Sequence, residues 1–335
     1  MRPMSADGNT DRARHDLVVV GGRQRTPSGV RDIGDAWYGY GSGVVLRVRD
    51  GEATVATTYE SVPGTHGPDD PVLLKSASVR PGRLHACTQT EILDLVLPDL
   101  HVERHLSLPF FNDVHHVVPT DRGTRLVAVS GIDAVVEVTD DGEVLEAWST
   151  LGDDPWTHIR GDRDLRIGVE LKPHASHPNH VFLVGDERWA TRFEQRDAVS
   201  LDDPSRSIAV GEERIHDGVV VDGKVHFTTV NGYVAVADLD TLEIEAMHHL
   251  GDHLGERETL GWVRGLWLGD DHAWVGFSRI RFTKVRERLS FLHKGTRSLP
   301  TRVARYSLPD WRFEEEIDLE PAGCNAVFTV APWPA

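Results

Sequence analysis

The chain has 335 residues, 39% hydrophobic and 27% charged, the balance of a soluble globular protein. Its formal net charge of −17 argues against nucleic acid and anionic membrane surfaces as partners, since both require a basic footprint. The first fourteen residues lack an apolar segment and no run reaches bilayer length, so no secretory leader or membrane span is expected, and the cytoplasm is the expected location. Cys87 and Cys324 stand far apart with no CxxC spacing, which predicts buried thiols rather than a disulfide framework.

Taken in chain order, residues 1–15 predict a flexible tail, and residues 16–335 predict one all-β domain. Three outer strands come first, at Leu17–Val20, Val44–Val48 and Ala53–Thr57. A four-strand unit follows over Leu74–Val79, Arg83–Thr88, Ile92–Leu97 and Val102–Leu106. The clearest unit runs from Asn112 to Thr150, with turns at Thr120–Gly123 and Asp140–Gly142. Further units begin at His180, Gly218 and Gly265. The last strand, Ala326–Val330, has no partners after it, and the first three strands lack an inner one. Joining them makes a sixth blade, so the expectation is a six-bladed β-propeller closed by both termini, with no free sheet edge. Insertions at 151–176 and 279–300 interrupt the rhythm, and the second is basic. They predict lids or binding loops, and solvated loop charge is the competing explanation.

Aligning the units on their innermost strands brings polar residues to one position: Ser76, His115, Asn179, Asp217, Arg264 and Asn325. The next position reads Ala77, His116, His180, Gly218, Gly265 and Ala326. Innermost strands line the central channel, so these residues predict a polar ring at the pore mouth, where ligands of closed β folds bind. Strand residues alternate in direction, so only one of His115 and His116 is expected to face the channel. His115, His180 and His216 are candidate ligands for a divalent metal (iron, zinc, manganese or calcium), which would polarise a carbonyl or activate water. His116, His216, Asp217 and Arg264 are candidate catalytic residues: a histidine as acid or base, Asp217 orienting it, and Arg264 gripping a carboxylate or phosphate. Trp156, Asn179, Trp262, Arg264 and Asn325 are candidate substrate contacts. A metal-free ligand site and a purely structural ring remain the alternatives, since 18 histidines make some clustering ordinary. Phosphate-loop, GxSxG and HExxH patterns are absent.

The blade Asn112–Thr150, the run His216-Asp217-Gly218-Val219 and the ring closure together resemble the six-bladed propellers of the NHL and SMP-30/gluconolactonase/strictosidine-synthase-like superfamily. The resemblance implies a divalent cation held at the pore by Glu, Asn and Asp side chains. Asn179, Asp217 and Asn325 match such positions in kind, no Glu does, and the histidines are additional. The expected function is an enzyme acting on a small polar or anionic molecule at the pore mouth, by metal-assisted hydrolase, lyase or isomerase chemistry. The alternative is a non-catalytic propeller that binds a protein or glycan on its top face.

Overall fold

Strands of this chain carry apolar residues on both faces, and both faces are covered. In the computed structural model Leu17 and Val19 pack to one side of their strand with Trp274 and Val303, while Val18 and Val20 pack to the other with Leu84 and Leu93. Such two-sided burial explains why the strands read as continuous apolar runs rather than strict alternations. The structure describes residues 15–25, 39–157, 163–169, 171–211, 213–256, 258–280 and 297–334. Most of the expected tail lies outside the described residues, as do His158, Arg160 and the basic stretch from Arg281 to Lys294.

Among the described residues there are six four-stranded antiparallel sheets, each a meander from an innermost to an outermost strand. The innermost strands are Ser76–Arg80, Val114–Pro119, Pro178–Val184, Ile215–Val221, Trp262–Leu268 and Ala326–Pro332. Six apolar clusters fill the six junctions between neighbouring sheets; Phe182, Trp189 and Ile208, for example, meet Ile215, Val225 and Phe227. The chain is thus the six-bladed β-propeller that its repeat predicts. Regular structure other than strand amounts, among these residues, to a 3-10 turn at Ser130–Ile132, and no helix is long and apolar enough to cross a membrane. Cys87 and Cys324 are buried free thiols.

The ring closes through both ends of the chain. Strand Asp16–Gln24 pairs on one side with Tyr40–Arg49 and on the other with Ala326–Pro332, in the order expected from the orphan strands. Gly21 is required at this seam, because a Cβ there would lie 1.8 Å from the Ala326 carbonyl oxygen. The next junction is pinned by Glu91, a buried carboxylate. Its Oε1 accepts hydrogen bonds from Tyr59 Oη (3.0 Å), the Val62 amide (3.0 Å), Thr65 Oγ1 (3.1 Å) and His105 Nε2 (2.9 Å). Burial alone would raise its pKa, but hydrogen bonds, that from His105 foremost, outweigh this and hold it at about 2.

Two outcomes follow from this architecture. Gly21→Ala is expected to lower stability by about 3 kcal/mol or more, read from the urea midpoint, whereas Glu52→Ala on the exposed outermost strand stays within about 0.5 kcal/mol. Glu91 has a depressed folded-state pKa, so its contribution is complete above its unfolded value and is lost as pH falls towards about 2. Against the ordinary 4.5 the shift corresponds to about 3 kcal/mol. Glu91→Gln should remove most of that at neutral pH and flatten the acid limb of stability below about pH 4.5.

Candidate functional site: a polar floor in the central channel

Four of the innermost strands carry one extra residue at the position where the sequence repeat places polar side chains. Pairing shifts between Val114 and His116, Pro178 and Val181, Ile215 and Gly218, and Val263 and Leu266. A bulge of this kind frees a backbone N–H and re-aims side chains that regular pleating would send to alternate faces. The freed donors are satisfied by hydroxyls of the second strand: Thr191 Oγ1 accepts from the His180 amide (2.9 Å) and Thr228 Oγ1 from the Asp217 amide (3.1 Å). Both threonines stand eleven residues after the residue they serve. The bulge also corrects the expectation that one of His115 and His116 faces the channel, since both line it.

The channel has a volume of about 420 Å³ and runs along the innermost strands. Lys75, His115, His116, Asn179, His180, His216 and Asp217 line its inner end, and Arg80, Val118, Leu183, Val220, Trp267 and Ala331 line the other. The polar ring is therefore a floor, and not the open mouth expected from the sequence: Lys75 is 0% exposed, Asn179 2% and His216 3%.

On one side of the floor Lys75 Nζ forms a short ion pair with Asp113 Oδ1 and lies 3.4 Å from His115 Nε2. Ser130 Oγ donates to the Pro178 carbonyl (2.6 Å), so it faces His115 Nδ1 (2.8 Å) as an acceptor, beside the Asp113 carbonyl (2.8 Å). His115 therefore carries its proton on Nδ1, and its bare Nε2 accepts from Lys75. His116 has the opposite tautomer: its Nδ1 accepts from the Val181 amide (3.1 Å), and its ring stacks on His180 at 3.7 Å. Burial pushes the pKa of His115 and His116 well below the usual range and that of His180 down to about 4, so these rings are neutral at pH 7. Burial also brings Lys75 down to about 8, against the opposing pull of Asp113.

Across the channel, Asp217 Oδ2 accepts from Thr228 Oγ1 (2.5 Å) and the Gly265 amide (2.9 Å). Its Oδ1 faces His216 Nδ1 at 3.5 Å and His180 Nδ1 at 4.0 Å. Burial lowers the pKa of His216, more than its Asp217 neighbour raises it. The Arg264 guanidinium sits over the Phe328 ring at 4.6 Å and the Trp262 ring at 5.4 Å. No carboxylate among the described residues lies within ion-pair distance of it, and it is close enough to help hold the His216 pKa down.

Several buried polar atoms at this end of the propeller have no hydrogen-bond partner: both ring nitrogens of His216, Asn179 Oδ1, Asp113 Oδ2, His174 Nε2 and Arg264 Nε. Folded proteins seldom leave such atoms unsatisfied, and each is a position where a water, an ion or another molecule can bond.

Other sequence-predicted residues fall differently. His115, His180 and His216 do not converge as a three-nitrogen chelate: His115 spends Nδ1 on the Asp113 carbonyl and Ser130, His180 stacks on His116, and the His115 and His216 ring centroids are 6.4 Å apart. Among the described residues, the ligand atoms that do come together are those of Asp113, His174 and His177, within 4.8 Å of one another. Asn325 is drawn away from the ring because its Oδ1 accepts from the Gln24 amide (2.9 Å), a closure contact. With no Glu in the ring and Asn325 so engaged, the residues do not fit the Glu/Asn/Asp cation site implied by the superfamily resemblance. Trp156 packs edge-on against Phe110 at 5.3 Å on the core side of the insertion, not against the channel. Trp262 is 38% exposed and flanks Arg264. Sequence reasoning left Lys75, His174 and His177 without roles. The signal that finds them is His174-x-x-His177 directly ahead of an innermost strand, and a lysine where the other blades carry mostly apolar residues.

No family model matches the chain, and no curated protein matches it. Solved structures do. One is the crystal structure, at 1.35 Å resolution, of a protein of unknown function from Bacteroides caccae, 13% identical, with a TM-score of 0.63 over 96% of this chain and 100% of that one. At this identity the likeness speaks for the fold alone.

The ion pair at the floor makes a direct prediction. Lys75→Met leaves the Asp113 carboxylate buried without its closest cation and is expected to cost about 3–5 kcal/mol. Adding Asp113→Asn should restore much of the loss. Urea unfolding of the two single variants and the double variant measures this, and additive losses would contradict the pairing.

Proposed function

We propose that the protein is an enzyme acting on a small polar or anionic molecule held at the floor of the central channel, by proton-transfer chemistry of the hydrolase, lyase or isomerase type. The observation that carries this reading is the cluster of buried, unpartnered polar atoms on His216, Asn179 and Arg264. A scaffold that used only its outer faces would have no reason to bear the desolvation of these groups.

In this reading His216 is the proton-transferring group. Asp217, fixed by Thr228 and Gly265, favours the Nδ1–H tautomer of His216 and leaves Nε2 free to accept a proton. Its lowered pKa keeps it neutral, and so competent as a base, at pH 7. Arg264 supplies the cationic grip for a carboxylate or phosphate. Asn179 offers an amide oxygen to a substrate donor, and His116, whose Nδ1 is occupied, offers an Nε2–H donor. Metal assistance belongs to the same reading, with an ion held elsewhere than on the three histidines. We further read the propeller as related to the NHL/SMP-30-like superfamily, on the strength of the repeated blade and the shared channel position of its polar residues, with a departed ligand set.

A panel of lactones, phosphate monoesters and hydroxy acids, assayed for turnover, tests the reading. At least one class should be converted. Asp217→Asn should lower the rate by about 10²–10⁴-fold, and Arg264→Lys should act mainly on KM. Because protonated His216 cannot accept a proton, the acid limb of the rate should fall below pH 6.5, with a plateau above it. Turnover that is indifferent to both substitutions would overturn the assignment.

A further inference from the structure

We propose that Asp113, His174 and His177 form a binding site for one first-row divalent metal ion, at the strand-start side of the channel floor. The ligand atoms lie within 4.8 Å of one another and come from two segments, the residue just ahead of the innermost strand Val114–Pro119 and the stretch His174–His177 ahead of the innermost strand Pro178–Val184. His174 Nδ1 and His177 Nδ1 face each other at 2.5 Å, and His174 Nδ1 is 3.7 Å from Asp113 Oδ2. One neutral ring can donate its Nδ1–H to the other across this contact, and both nitrogens are of the kind that ligate a divalent metal. Asp113 Oδ2 is buried and has no hydrogen-bond partner, while Oδ1 is taken by Lys75. One oxygen is thus tied and oriented, and the other is left for an ion, the usual division of a metal-ligating carboxylate.

The surrounding structure holds the three ligands in place at a cost. Asp113 and His177 both adopt left-handed backbone conformations, φ 54° and 58°. Such conformations are unfavourable in a residue that is not glycine and persist where the surroundings impose them. At His177 the imposing group is Asp133, whose carboxylate accepts hydrogen bonds from the amides of Ala175 (2.8 Å), Ser176 (2.8 Å) and His177 (2.6 Å). This clamp fixes the turn that presents both histidines. Two imidazoles and one carboxylate, with coordination positions left over, suit zinc, iron(II) or manganese(II). Lys172 Nζ lies 3.9 Å from Asp113 Oδ2, but its side chain is 43% exposed, so it can swing aside as an ion enters.

The site would supply the metal assistance named in the proposed function, but its test is independent of turnover, because His216 and Asp217 are not among the ligands. Calorimetric titration of the metal-free full chain with Zn²⁺, and then with Co²⁺ to read its visible spectrum, tests it. One ion per chain is expected. His177→Gln and Asp113→Asn should each weaken binding at least 10-fold, His180→Gln and His216→Gln should leave it unchanged, and Lys172→Gln should tighten it by removing a competing cation. Should His177→Gln or Asp113→Asn fail to fold, His174→Cys provides a second reading: the Co²⁺ complex should gain a sulfur-to-cobalt charge-transfer band. Binding that survives His177→Gln, or that is lost with His180→Gln, would overturn the site, as would a stoichiometry of zero in the wild type.

Discussion

One extra residue at the start of an innermost strand is the constraint on which the rest of this structure depends. Regular pleating would send every second residue into the packed junction between blades, where an imidazole or a carboxylate has no partner. The bulges at His115, Asn179-His180, His216-Asp217 and Arg264-Gly265 break the alternation at the same height in four blades. In the first three they turn consecutive polar residues inward without disturbing the apolar seams on either side. Threonine hydroxyls from the second strand then satisfy the amides that the bulges set free at His180 and Asp217. A polar floor can exist inside an otherwise apolar propeller because its backbone cost is met locally.

The floor is electrostatically sorted by burial. Desolvation holds the histidines neutral, while hydrogen bonds and nearby cations hold Asp113 and Asp217 ionised below the ordinary carboxylate range. Lys75 is held by Asp113 and His115, whereas Arg264 rests on aromatic faces and pairs with no carboxylate among the described residues. The result is a set of neutral imidazoles beside a cation, the arrangement on which the proposed acid–base reading rests. The same sorting leaves Asp113 Oδ2 and two neutral imidazoles facing one another on the strand-start side.

The fold was legible in the sequence because a repeat is a strong signal: the orphan outer strands at one end and the orphan inner strand at the other specify the closure. Ser76, His115, Asn179 and Asp217, which line the channel together, were legible as one circle for the same reason, since a repeat aligns positions that lie far apart; Arg264, aligned with them, is not among the lining residues. What the repeat does not encode is local direction. A bulge has no composition signature in these strands, so the inward turn of both His115 and His116 was not readable. The insertion at 151–176 belongs to no repeat, so His174 could not be placed by alignment, and Trp156 went to the core instead of the channel; His177 stands in the repeat, ahead of Asn179, but nothing in the repeat points to its partner in the insertion. Asn325 aligned with the ring but sits at the seam, where the neighbouring strand comes from the other end of the chain and takes its amide oxygen.

Imidazole ¹⁵N NMR at pH 7 tests the central claim most directly, because it reads tautomer, charge and ligand contact at once. The structure predicts Nδ1–H on His115, Nε2–H on His116 and a neutral His216. It also predicts that added inorganic phosphate or acetate shifts His216 and leaves His85, which is paired with Asp94 away from the channel, where it was. Protonated imidazolium at these channel positions, or a His216 signal indifferent to both anions, would contradict it.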